Sequence, residues 1–180
     1  MKQPAPSRAR PHRRRLHAAG LVAASLAAAT GHAQQAPPQE STPVQRVLEI
    51  VNQVRAQARP CGDRKFEAAP PLRRSEQLDA AALAHLQDMA GRGFFELRGS
   101  DGSLTADRAA RAGYRSTGIG ESLGHGAYGP DALVAGWLAD PAPCANIMHP
   151  AFVDVGLARV PAADGRPGWY LWSMVVGRPR

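Results

Sequence analysis

The sequence predicts an α+β domain, and three observations predict it. Apolar residues recur at helical spacing through the first two-thirds of the chain. Two apolar, β-rich segments, residues 152–160 and 169–176, fall close together near the end. The run Ala162-Ala163-Asp164-Gly165-Arg166-Pro167-Gly168 between them is turn-forming. Helices gathered first and strands gathered last define α+β rather than an alternating α/β order. A folded region of about 135 residues is long enough for one core. No internal repeat is present.

Each element has its own warrant. Val44, Val47, Leu48, Val51 and Val54 share one face of a first helix. Thr42 or Ser41 can cap it, with Pro43 near its first turn. A second helix starts at Ser75 and carries Leu78, Ala82, His85, Leu86 and Met89 inward, with Gly91 or Gly93 ending it. Residues 105–112 form a short third helix stopped at Gly113. Pro130 opens a fourth, with Leu133, Val134, Trp137 and Leu138 inward. Residues 144–148 can add one turn before Pro150. The two late segments pair as an antiparallel hairpin, and a short strand over residues 119–123 completes a small sheet.

The N-terminus reads as an export signal. Lys2, Arg8, Arg10, Arg13, Arg14 and Arg15 form a basic region, and residues 18–29 are small and apolar except for Ser25. Gly31-His32-Ala33 is a small-x-small cleavage site, so residues 1–33 are expected to be a signal peptide. The apolar run is shorter than the roughly 20 residues of a spanning helix. An uncleaved anchor is the other reading, and Arg13-Arg14 leaves Sec and twin-arginine export both open. Residues 34–43, Gln/Pro-rich, read as a linker, and residues 44–178 as the folded domain.

Cleavage changes the charge argument. It removes six basic residues and no acidic one, leaving 16 of the 22 Lys+Arg against all 15 Asp+Glu, a net +1. No basic stripe remains, so nucleic-acid binding has no support. Cys61 and Cys144 both survive. An exported chain with two cysteines most simply forms one disulfide; two free buried thiols are the alternative. In the chain-entropy picture, a bridge closing so long a loop contributes about 4–5 kcal/mol.

Several segments, in order, resemble the CAP superfamily of cysteine-rich secretory, venom-antigen and plant pathogenesis-related proteins with their bacterial SCP-domain relatives. Asn52 to Arg55 resembles N-x-x-R, and Pro71-Leu72 the P-L that follows. His85-Leu86-Gln87-Asp88-Met89-Ala90 resembles H-x-x-D-M-A. Phe94-Phe95 with Asp101-Gly102 resembles F-F-x-H-x-x-x-D-G, and Arg108 to Tyr114 resembles R-x-x-x-x-G-Y. Gly120-Glu121-Ser122-Leu123 resembles G-E-N-I. Trp137 to Gly156 resembles W-L-x-S-P-G-H-C-A-N-I-M-x-P-x-F-x-x-x-G. The resemblance implies an α-β-α sandwich, and the cysteine pair resembles that of a disulfide-bearing bacterial subset.

The resemblance also implies a cavity with paired His and Glu residues, which in some members holds a divalent metal. This sequence departs from it. Leu97 and Pro143 stand where histidines are implied, Ala142 replaces a glycine and Ser122 an asparagine. Glu121 remains. A zinc site needs three or four N, S or O donors at about 2.0–2.3 Å. Leu97 has none and Pro143 only its carbonyl, so the metal site is expected to be degenerate and no cofactor is expected.

Other residues carry groups capable of chemistry. His125 follows Glu121 by four residues and would share its face on a helix; it also reads as a loop histidine between Gly124 and Gly126. His149 reads as a surface residue and His85 as a hydrogen-bonded core histidine. Ser122 beside Glu121 and His125 lacks the Gly-x-Ser-x-Gly elbow of a serine hydrolase. Glu96 and Asp101 give no defined carboxylate pair. Glu121 is either a cavity carboxylate that binds ligand or an internal hydrogen-bond acceptor. Glu121, Ser122 and His125 are therefore the cavity or ligand candidates, and no catalytic residue is assigned. The expected protein is an exported, extracytoplasmic monomer, secreted or periplasmic. It binds a small molecule, lipid or cell-envelope component without catalysis. A metal-dependent hydrolase of protein or envelope substrates is the alternative.

Overall fold

The computed structural model describes residues 41–180 apart from Asp164. The expected signal peptide, residues 1–33, and the linker as far as residue 40 lie outside the described residues.

Helix α1, Pro43–Arg55, starts one residue ahead of the expected boundary, because Thr42 caps it. Thr42 Oγ1 accepts from the Gln45 amide and Gln45 Oε1 accepts from the Thr42 amide, a reciprocal capping box. Strands β1, Arg59–Cys61, and β2, Arg64–Phe66, form a small hairpin. A two-residue strand β3, Arg73–Arg74, follows. Helix α2, Glu76–Arg92, is capped by Ser75 and ends at Gly93, whose φ of 72° is left-handed; Gly91 stays inside the helix. Then come α3, Thr105–Arg111; β4, Ser116–Gly126; α4, Pro130–Ala139; α5, Pro141–Met148; β5, Asp154–Pro161; and β6, Tyr170–Pro179.

The sheet runs β3-β5-β6-β4. Strands β5 and β6 are the antiparallel hairpin read from the sequence, with Leu157 opposite Met174. Strand β4 pairs antiparallel with the other side of β6, placing Glu121 opposite Val175. The sheet is not wholly antiparallel: β3 adds to the edge of β5 in parallel. Two residues carry no periodicity, so that strand had no sequence signal.

Strand alternation builds a core on each face. From β6, Trp172, Met174 and Val176 pack with Val47 and Val51 of α1, Trp137 of α4 and Ile147 of α5. Its Leu171 and Val175 pack with Leu78, Ala82, Leu86 and Met89 of α2. Strand β6 is thus buried on both faces, which is why residues 171–176 read as an apolar run broken only by Ser173. Helices on both sides of one sheet make the α-β-α sandwich. Helix α2 lies very close to the sheet at Gly156, where a Cβ would fall 2.0 Å from the Leu78 carbonyl carbon.

Much of the signature sequence is spent on this framework. Asn52 makes two hydrogen bonds with the Leu72 backbone. Arg55 is fully buried and donates to the carbonyls of Pro70, Ile147, His149 and Phe152. Its burial pushes the guanidinium pKa down from its ordinary value. Cys61 and Cys144 form the expected disulfide, with Cα atoms 5.5 Å apart, tying the β1–β2 hairpin to α5.

Strand β4 is a sheet edge. The carbonyls of Glu121, Leu123 and His125 point the same way, away from β6. Each accepts from a side chain: Asn146 Nδ2 at 3.1 Å, Trp137 Nε1 at 2.8 Å, and the Tyr128 hydroxyl. The Trp and Asn of the W…C-A-N-I-M segment therefore close this edge against further pairing.

Candidate functional site

Glu121 lies on the β4 face toward α2 and α3, with its side chain 1% exposed. Oε1 accepts from Ser173 Oγ at 2.7 Å and faces His85 Nδ1 at 2.9 Å. Oε2 accepts from Arg108 at 2.6 Å and Thr105 Oγ1 at 2.8 Å. Four side chains from α2, α3 and β6 thus converge on one carboxylate. Arg108 also donates to the carbonyls of Ser103 and Leu97, so the same guanidinium holds the loop between α2 and α3.

Burial alone would raise the Glu121 pKa. Hydrogen bonds from His85, Ser173 and Thr105 and the nearby His85 charge outweigh it and hold the carboxyl below its ordinary value. The carboxylate is ionised, so the His85 Nδ1–H donates to it. His85 Nε2 is buried with no hydrogen-bond partner among the described residues, so Nδ1 to Glu121 is the hydrogen bond that orients the ring.

The three candidate residues separate. Ser122 points to the opposite face, where its Oγ accepts from Asn146 at 3.2 Å. His125 shares the Glu121 face because the segment is a strand and not a helix, and it lies about 13 Å further along. Its ring sits between Phe95 at 5.5 Å and Trp169 at 5.4 Å. His149 Nδ1 accepts from the Ala151 amide and packs on Phe152. Asp101 is an exposed partner of Arg111.

His125 instead belongs to a cleft of about 510 Å³ beside the β4 edge. Phe95 from the loop after α2, Leu123 and His125 from β4, Tyr128, and Gly136 and Trp137 from α4 line it. Asp140 and Pro143 at the start of α5 complete it. Leu97, 53% exposed, is not among its lining residues.

These residues do not fit a divalent metal. Leu97 and Pro143 supply no side-chain donor, and both Glu121 oxygens are occupied by protein donors. No group of three or more His, Cys, Asp or Glu among the described residues is arranged to hold one.

The Glu121 network itself was not read from the sequence. A signal existed: Ser173 is the one hydroxyl in the apolar run Leu171-Trp172-Ser173-Met174-Val175-Val176. Its 0% exposure demands a partner. His85 and Arg108 head two of the segments quoted above, but the sequence alone does not say that they meet.

The sandwich, its edge-capped sheet and the buried Glu–Arg–His cluster define an α-β-α domain class. The sequence description of the Cysteine-rich secretory protein family matches residues 48–176, and the chain belongs to that family, the CAP superfamily. No curated protein is significantly similar to it. Solved structures share the fold. An extracellular SCP-domain protein from Bacillus anthracis is 18% identical with a TM-score of 0.62, covering 76% of this chain and 40% of its own. An outer surface protein from Borrelia burgdorferi is 12% identical with a TM-score of 0.60, covering 77% and 93%. A cysteine-rich secretory protein from Staphylococcus aureus is 12% identical with a TM-score of 0.57, covering 79% and 40%. The chain thus spans less than half the length of the Bacillus and Staphylococcus proteins. No helix among the described residues is long and apolar enough to cross a membrane.

Proposed function

We propose that this chain is an extracytoplasmic CAP domain that binds a small molecule, lipid or cell-envelope component in the cleft beside β4, without catalysis. The cleft's lining carries the reading: aromatic and aliphatic walls, Pro143 at the implied histidine position, and polar groups from His125, Tyr128 and Asp140. Of the three candidate residues, His125 meets the cleft. Glu121 acts as an internal tie and Ser122 faces away from both. A hydrolase reading has little to work with, because the Glu121 carboxylate is taken and Ser122 lies across the sheet from it. The disulfide supports an oxidising compartment.

Gly136 offers a clean test. It lines the cleft from within α4, and nothing lies within 4 Å of where its Cβ would be. Gly136→Phe should fill the cleft while leaving the fold intact. Mass-spectrometric comparison of molecules co-purifying with the exported parent and variant checks this. Species bound by the parent should be lost from Gly136→Phe. Equal recovery from both would remove the cleft as the ligand site.

A further inference from the structure

We infer that the cleft beside β4 takes an organic ammonium group, held by aromatic faces and the Asp140 carboxylate. This rests on the reading of that cleft as the ligand site. Phe95 and Tyr128 line it and are 43% and 44% exposed, so both rings are accessible to a ligand. A cation over an aromatic face is attracted by the ring quadrupole.

The charge balance of the cleft points the same way. Among the described residues that line it, Asp140 is the only carboxylate and there is no arginine or lysine. Asp140 forms no ion pair among the described residues. One of its oxygens accepts from the Ala142 amide at 3.0 Å, leaving the other for a ligand.

The start of α5 would ordinarily attract an anion through its free amides. Here it presents none. Pro141 and Pro143 have no N–H. The Ala142 amide goes to the Asp140 side chain and the Cys144 amide to the Asp140 carbonyl. Pro143 therefore does more than lack an imidazole: it also removes an amide donor. The cleft is left with ring faces and an acceptor, the complement of a substituted ammonium.

The test compares choline with its uncharged isostere 3,3-dimethylbutan-1-ol. Each is titrated into the full chain while backbone amide shifts of residues 123–125 and 136–137 are followed. Choline should bind roughly tenfold more tightly than the isostere, within the range of cation–π and carboxylate attraction. Asp140→Asn keeps a good N-cap residue, so the fold is retained while the charge is lost. It should weaken choline and leave the isostere unchanged. Phe95→Leu, which keeps apolar bulk without a ring face, should also weaken choline. Equal affinity for the two probes, no response to Asp140→Asn, or no shift with either probe would overturn the inference. The broader ligand-site reading is judged separately, by loss of co-purifying species from Gly136→Phe.

Discussion

Glu121 has four donors on two oxygens, and one of them, Arg108, is itself buried. Removing the carboxylate strands that guanidinium. Glu121→Ala should therefore cost about 3–5 kcal/mol, the range for breaking a buried ion pair from one side. Urea denaturation measures it. Glu121 also makes a pH prediction. Its folded pKa is depressed below the ordinary 4.5, so the unfolded chain binds the proton more readily. Its contribution to stability is fully present above that value and is lost as pH falls through the folded pKa. Glu121→Gln should flatten the fall in melting temperature between about pH 6 and pH 3; parallel parent and variant curves would show that Glu121 is not the group responsible. At this scale the sequence was half legible. Glu121 stood out as the one cavity carboxylate that the resemblance implies, but its partners come from α2, α3 and β6. No local pattern announces a meeting of residues so far apart in the chain.

Elements were more legible than residues. Thr42, Ser75 and Gly93 mark helix ends with side-chain and left-handed caps that the sequence displays directly. The β5–β6 hairpin was visible because β6 is apolar on both faces. The β1–β2 hairpin and β3 were not visible, since two- and three-residue strands have no periodicity to detect. Helix α5 starts at Pro141 rather than Cys144: Asp140 followed by proline is a cap and first turn in its own right. Helix α2 packs tightly on β5 at Gly156. Gly156→Ala should cost about 1–3 kcal/mol or more, because the added methyl meets backbone that cannot rotate away. Gly91→Ala, in the same helix with nothing within 4 Å, should instead be neutral or stabilise. Chemical denaturation of the pair checks the contrast, and equal stabilities would contradict the tight α2–β5 contact.

At the scale of the described domain, three structural layers and one disulfide serve a single edge. Helices α4 and α5 supply the side chains that close the β4 edge and also one wall of the cleft. The disulfide fixes α5 to the β1–β2 hairpin, so the cleft wall is anchored from both sides of the chain. We propose that Leu97, Pro143 and the internal use of Glu121 remove the metal chemistry that the family resemblance implies. Calorimetric titration of zinc into the metal-stripped full chain tests this loss most directly. The parent should show no saturable binding at micromolar zinc, and Leu97→His combined with Pro143→His should raise the affinity. Tight, stoichiometric binding by the parent, abolished by Glu121→Gln or His125→Ala, would contradict the account.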